Sequence, residues 1–422
     1  MNPSLNSTSR GSQRGAGALL VVVLLFAAMA IIVGFANRSL VFEQKTSANQ
    51  YRATMAMEAA EAGLEWAITM LNKSGSITTA CLDSVVVTDV AFRNKYLTYT
   101  TGTKTWGVVP GTSAPVAAAC VTSQTGTDWN CSCPPAGAVP TVTAPSVGGF
   151  KPAFAIAFVP NPAERAVDMV SYGCTSAVTS ATCVGDAAAT VRVTVANVAA
   201  LATAPGAPLT ARGAVSIGNA ALGVQNGDPT SAGVTINAGM GIDADRARIT
   251  TSPGTPPSTT LVGNDASLRN STESQMFQTF FGVPKETWRD TVADAKLTCP
   301  CTETDVAAVL APPYNKRKLW LQGDLVMNSN ATLGSVPLPF IMIVDGTIEM
   351  RGDLAVYGVL YATGVSWNNT GGGNALLVGA AISEGNYTGN GTPDYFYDPR
   401  VISNLTDIPG TFVRVPGSWR DF

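Results

Sequence analysis

Eight cysteines and not one histidine limit what chemistry this chain can perform. Without histidine there is no imidazole base, no histidine-dependent triad and no histidine metal site, so hydrolysis would have to rest on carboxylates, lysine or cysteine. The cysteines stand at positions 81, 120, 131, 133, 174, 183, 299 and 301, all on one side of an apolar segment near the N-terminus. An even count so placed favours disulfides in an oxidising compartment. About 105 pairings are open to eight cysteines. The pair singled out is Cys174 with Cys183, which closes a short loop rich in Ser, Thr and Ala. The competing use is zinc held by Cys131-Ser-Cys133 and Cys299-Pro-Cys301, but these lack the usual CxxC spacing. The expectation is therefore no metal and no cofactor. Asp243-Ala-Asp245 could offer two carboxylates to calcium, yet Arg246 and Arg248 follow it and the EF-hand glycine and closing Glu are missing. No carboxylate pair, nucleophile–base pair or phosphate loop stands out, and the expectation is a protein that is not an enzyme.

Composition points the same way. Hydrophobic residues make up 46% of the 422 residues and charged residues only 13%, about half the usual share. Gly, Ala, Thr, Ser and Val fill the difference, as in β-rich exported proteins. The net charge of -3 and the lack of a dense basic stretch argue against a nucleic-acid partner.

Residues 16–36 (AGALLVVVLLFAAMAIIVGFA) carry no charge. As a helix they reach about 30 Å, enough to cross a hydrocarbon core. Arg10 and Arg14 precede the run with no acidic residue beside them, so the positive-inside tendency predicts that residues 1–15 stay cytoplasmic and the rest is exported. A cleaved secretory signal is the alternative, although its apolar core is usually about 7–15 residues and ends at a small-x-small site. Residues 38–71 contain no proline and a single glycine, Gly63. Tyr51, Met55, Ala59, Ala62, Trp66 and Met70 recur at helical spacing, with charged residues on the remaining faces. One helix of more than fifty residues is expected, apolar all round in its first half and amphipathic in its second, stopping near Lys73-Ser74-Gly75. The residues alone equally allow an anchor helix followed by a coiled-coil stalk.

Arg14-Gly15 before the apolar run, then RSLVFEQKTSANQ (38–50) and AMEAAEAGLEWA (56–67), resemble the N-terminal region of PilX-type minor pilins of type IV pili. The resemblance spans residues 10–72. It implies cleavage by a prepilin peptidase after Gly15, within a leader of residues 1–15, and methylation of the new terminus at Ala16. It implies a transmembrane half (16–36) and an amphipathic half (37–75) of one helix, held in the inner membrane with the C-terminal part periplasmic, then packed among other pilins in the filament and carried to the cell surface. Packing positions would be Leu20, Tyr51, Met55, Ala59, Ala62, Trp66 and Met70. Major pilins carry Glu at the fifth mature position, where this chain has Leu20. Such a Glu can neutralise a neighbour's buried amino terminus; Leu20 cannot, which suits a tip subunit better than a repeating one. Implied partners are other pilins and minor pilins, the inner-membrane assembly machinery and a tip adhesin.

The exported part should divide at residue 204. SVVVTDV (84–90), FAIAFVP (154–160), AVDMVSY (166–172) and TVRVTVANV (190–198) read as strands, with a loop-rich stretch over 107–149, and a pilin-like antiparallel sheet over 76–204 would cover the Tyr51-to-Met70 stripe. In 205–422 a pattern of glycine and alternating aliphatics recurs: GAVSI (213–217), GDLVM (323–327), GTIEM (346–350), GDLAV (352–356), and more loosely 233–236 and 358–362. Stacked rungs of a β-solenoid need such corners; an antiparallel sandwich with glycine turns is the competing arrangement. A helical insert is expected over 265–316. Arg351-Gly352-Asp353 reads as a turn between rungs, and TPDYFYDPR (392–400) and GSWRDF (417–422) as caps over an exposed end. The fold class is thus α+β, a long N-terminal helix with a helix-plus-sheet region and a β-rich, solenoid-like domain. The leading function is a minor pilin in pilus assembly and adhesion; the alternatives are a type II secretion pseudopilin and a membrane-anchored β-solenoid that binds or cleaves polysaccharide.

Overall fold

The structure, a computed structural model, describes residues 14–421 apart from 87, 110–115, 124, 144–149, 177, 180–181, 184–186, 218–220, 232, 314–315, 329 and 369–374; the side chains of residues 14–16, 178–179 and 182–183 are also outside the description. The fold is α+β. Helix α1 (Arg14–Asn72) runs unbroken for 59 residues, in a stretch with no proline and many good helix formers. Among the described residues its first half is exposed throughout, and its second half lies across a six-stranded antiparallel sheet.

That sheet consists of β1 (Ala118–Thr122), β2 (Trp129–Ser132), β3 (Ala153–Pro160), β4 (Ala166–Cys174), β5 (Ala188–Ala199) and β6 (Pro409–Arg414), in the spatial order β6-β5-β4-β3-β1-β2. The region 76–204 is therefore not self-contained, because its edge strand β6 comes from beyond the solenoid. GSWRDF does not cap the solenoid either: Ser418 and Arg420 bond β5 at Thr194 and Arg192. The expected strand at 84–90 is a loop in its described part, folded back by Ser84 donating to Asp89 at 2.5 Å, with Val85 fully exposed. Local side-chain hydrogen bonds of this kind compete with strand pairing. Disulfides join Cys81 to Cys133, Cys120 to Cys131 across β1 and β2, and Cys299 to Cys301. Both CxC pairs are consumed by these bonds, which removes the zinc alternative. Cys174 is disulfide-bonded; the Cys183 side chain lies outside the described residues.

Residues 209–396 form a solenoid of parallel strands, and the chain enters it in the middle. Along one face the strands follow the order Leu261–Val262, Ile236–Ala238, Leu209–Ala211, Leu376–Ser383, Ala355–Trp367, Phe340–Met350, Lys318–Gln322, Ala295–Thr298. The first half winds outward, a helical passage carries the chain to the far end, and the second half winds back to meet the first rung. In-register stacking aligns Leu261, Ile236, Leu209, Ala381, Leu360, Met342 and Leu319 as an inward column. The outward column Ile382, Tyr361, Ile343 and Trp320 is also buried, under α2 (Glu273–Phe281), Trp288 and α4 (Pro399–Thr406). Strands covered on both faces read as continuous apolar runs. The helical insert is shorter than expected: strands Ala295–Thr298 and Cys301–Thr302 form a terminal rung, and α3 (Glu303–Leu310) closes that end with Val306 in the core. TPDYFYDPR is no cap either, since Tyr395 sits fully buried in a middle rung. The two Gly-Asp-Leu copies stand at different corners. Gly323 (φ 105°) turns one and Gly352 (φ 75°), within Arg351-Gly352-Asp353, turns another.

The seam between α1 and β4 is built from small residues. A side chain on Gly173 would collide with the Ala56 carbonyl and lie 2.5 Å from the Ala60 nitrogen, and one on Gly63 would strike Ser171 and Phe154. Gly173→Val should lower unfolding stability by about 3 kcal/mol, the upper range for overpacking, in chemical denaturation of the detergent-solubilised chain. A change under about 0.5 kcal/mol, the scatter of ordinary surface substitutions, would show that the seam is loose.

Candidate assembly site

Leu19, Leu20, Val23, Phe26, Ile32, Phe35 and Phe42 on α1 are each more than half exposed, with Leu20 at 61%. Gly15 and Ala16 lie in the first turn of the helix, and their surroundings are outside the described residues. The uncharged run thus presents apolar side chains in every direction, the arrangement of a helix whose surroundings are lipid or other helices.

The buried face of the second half is rotated by about one residue from the expected stripe. Ala56, Ala60, Gly63, Ala67 and Leu71 form its centre; Ala59 and Met70 are buried at its edge, Met55, Ala62 and Trp66 are half-buried flanks, and Tyr51 is 58% exposed. Large residues flank the seam because only Ala and Gly allow the backbones to approach. The Ala/Gly spacing carried this signal, which a search for large apolar residues passes over. Trp66 packs against Phe92 and Phe154.

Three contacts that sequence reading missed fasten the helix to the solenoid. The Asn72 side chain donates to the Phe412 carbonyl at 2.9 Å and accepts the Phe412 N–H at 2.6 Å, clamping β6. Arg93, buried, donates to the Gly410 carbonyl at 3.0 Å. Lys318, buried in the solenoid strand Lys318–Gln322, donates to the Pro409 carbonyl at 3.1 Å and pairs with Asp294 at 3.0 Å. Trp288 adds a buried bond to the Ala200 carbonyl at 2.9 Å.

Carboxylates elsewhere are engaged in the same structural manner. Asp168 accepts from Thr194, Arg192 and Asn161; burial would raise its pKa, but these bonds bring it below the ordinary value. Glu384, 1% exposed, holds Lys285 at 2.6 Å and Tyr361 at 2.7 Å, while burial and then this carboxylate push the Tyr361 phenol far up. Asp398 caps α4 and pairs with Arg400. Asp243 and Asp245 are exposed, and among the described residues no three potential ligands converge on a metal position.

Neither a protein-family model nor a curated protein matches the chain. Among solved structures it is similar to the competence-associated pilin ComZ from Thermus thermophilus, at 11% identity and a TM-score of 0.23, over 88% of this chain and 97% of that one. At that score the two folds diverge widely, and no residue role passes between them.

Burial lowers the Lys318 pKa from 10.5 to about 8. Below pH 8 the ammonium is charged in both states, so its burial opposes folding in full. Between about 8 and 10.5 the unfolded chain holds the proton and the folded chain sheds it, so this group's contribution improves as pH rises. Wild-type stability should therefore climb relative to Lys318→Met across that window in denaturation curves; a constant difference would contradict the buried position.

Proposed function

We propose that this chain is a pilin-type subunit of a type IV pilus, of the minor, PilX-like kind, acting at the tip or in initiation. The observation that carries the reading is α1, one uninterrupted helix whose first half is uncharged and exposed on all sides and whose second half is bedded on an antiparallel sheet. Each exposed Leu, Ile or Phe left in water forfeits about 1.5–3 kcal/mol of burial, so the segment belongs in a membrane and then among other helices. In this reading the chain starts in the inner membrane with its large domain in the periplasm, is cleaved after Gly15 and methylated at Ala16 by a prepilin peptidase, and is drawn into the filament by the assembly machinery. Three disulfides whose partners are both described suit an oxidising compartment. The domain beyond α1 binds rather than catalyses: its buried carboxylates are tied into structural bonds, which supports display to other pilins, an adhesin or a surface.

Leu20 is what distinguishes this subunit from a repeating one. Intact-mass and N-terminal analysis of the membrane fraction should give N-methyl-Ala16 as the first residue; an intact Met1, or cleavage beyond residue 36, sinks the pilin reading. Leu20→Glu should raise the amount of protein recovered with sheared filaments, and unchanged recovery with even labelling along the filament would remove the tip assignment.

A further inference from the structure

Charges on α1 fall on two opposite stripes. Arg38 and Lys45 lie seven residues apart on the side that carries the folded domain, but below it, in the free part of the helix, where Phe35, Val41 and Phe42 form a shallow groove with them. Glu58, Glu61 and Glu65 lie on the opposite side of the helix, around a groove that Ala62 and Leu64 and, from the domain, Arg414 and Trp419 also line. All five are exposed. Among the described residues only Glu65 has an ion-pair partner, Arg414.

Arg38 to Glu58 and Lys45 to Glu65 are separated by the same interval, about 20 residues, which is about 30 Å of rise and about 200° of rotation. In a second, parallel copy displaced by that interval, both acidic residues come level with both basic ones and face them. Phe42 comes level with the small Ala62 inside the acidic groove. Asn72, where the lower helix ends, comes level with Arg52, where Phe150 of the upper copy's domain first reaches its helix. Charge and shape agree on one register. Glu43, on the acidic stripe, falls level with Val23 and gains no partner.

We infer that α1 carries a self-complementary surface by which two copies of this chain pair in parallel, staggered by about 30 Å, with Arg38 and Lys45 of the upper copy on Glu58 and Glu65 of the lower. The inference rests on the pilin reading and stands apart from the tip assignment, since a pair related by translation leaves the same surfaces open at each end. The stagger matches the hydrocarbon thickness of a bilayer, about 30 Å, so the pair forms when one copy is raised out of the membrane over another that remains in it. That is the geometry of a first assembly step.

The test uses two differently tagged full-length chains in mild detergent at low salt, one carrying Val41→Cys and the other Glu61→Cys, positions that meet in this register. Oxidation should give mixed disulfide dimers, and two Val41→Cys chains, which meet only without stagger, should give few. Arg38→Glu in the first chain should cut the yield about fivefold, as expected when an exposed attraction becomes a repulsion; adding Glu58→Arg to the second should restore it, and raised salt should weaken the unsubstituted pair. Equal yields from the unstaggered pair, or a yield indifferent to charge reversal, would overturn the register. If the register fails while the chain is still processed at Gly15 and recovered with filaments, the pilin reading stands with a different partner on this face.

Discussion

The contact of α1 with β4 is possible only because Gly63 and Gly173 have no side chains. That close approach sets the depth at which the helix lies in the sheet, and other contacts follow from it. Trp66 reaches Phe154 and Phe92, and Asn72 arrives where its amide bonds both backbone groups of Phe412. Strand β6, fixed by Asn72, is in turn the acceptor for Arg93 and Lys318. Helix, sheet and solenoid are thereby joined at one short strand, and a force applied along the helix reaches the solenoid through packed and hydrogen-bonded contacts.

The solenoid's topology serves the same junction. Because the chain enters and leaves at neighbouring middle rungs, both of its connections to the sheet start from adjacent points. Helices α2 and α4 cover the outward column there, and buried Glu384 and Tyr361 with half-buried Lys285 fix the insert to the rungs. Removing Lys285 would leave the buried Glu384 carboxylate without its countercharge, which is costly although the pair's net contribution to stability is small. The pair's effect is to fix one arrangement of insert on rungs.

Much of this was legible in the sequence. The long helix showed in its charge-free run and proline-free continuation, and the rungs in their recurring glycine corners. What escaped were features set by long-range pairing. Nothing local in Pro409–Arg414 says that it joins a sheet begun at Ala118, and nothing in the order of the glycine motifs reveals that the chain starts its rungs in the middle. The rung at Ala295–Thr298 was hidden between helical signals, and Val85 and Val86 have strand propensity but stand exposed in a loop that Ser84 and Asp89 fold back. At the assembly site the uncharged half was plain, whereas the docking face was misplaced because its contacts are made by alanine and glycine.

An apolar helix exposed on every side is the constraint that any functional account must meet, and burial among helices of other subunits meets it. The most direct measurement is photo-cross-linking from benzoylphenylalanine at Phe26, compared between membranes and sheared surface filaments. The account predicts adducts to the helix of a neighbouring subunit in the filament fraction. A chain confined to the membrane fraction and cross-linked only to lipid would contradict it.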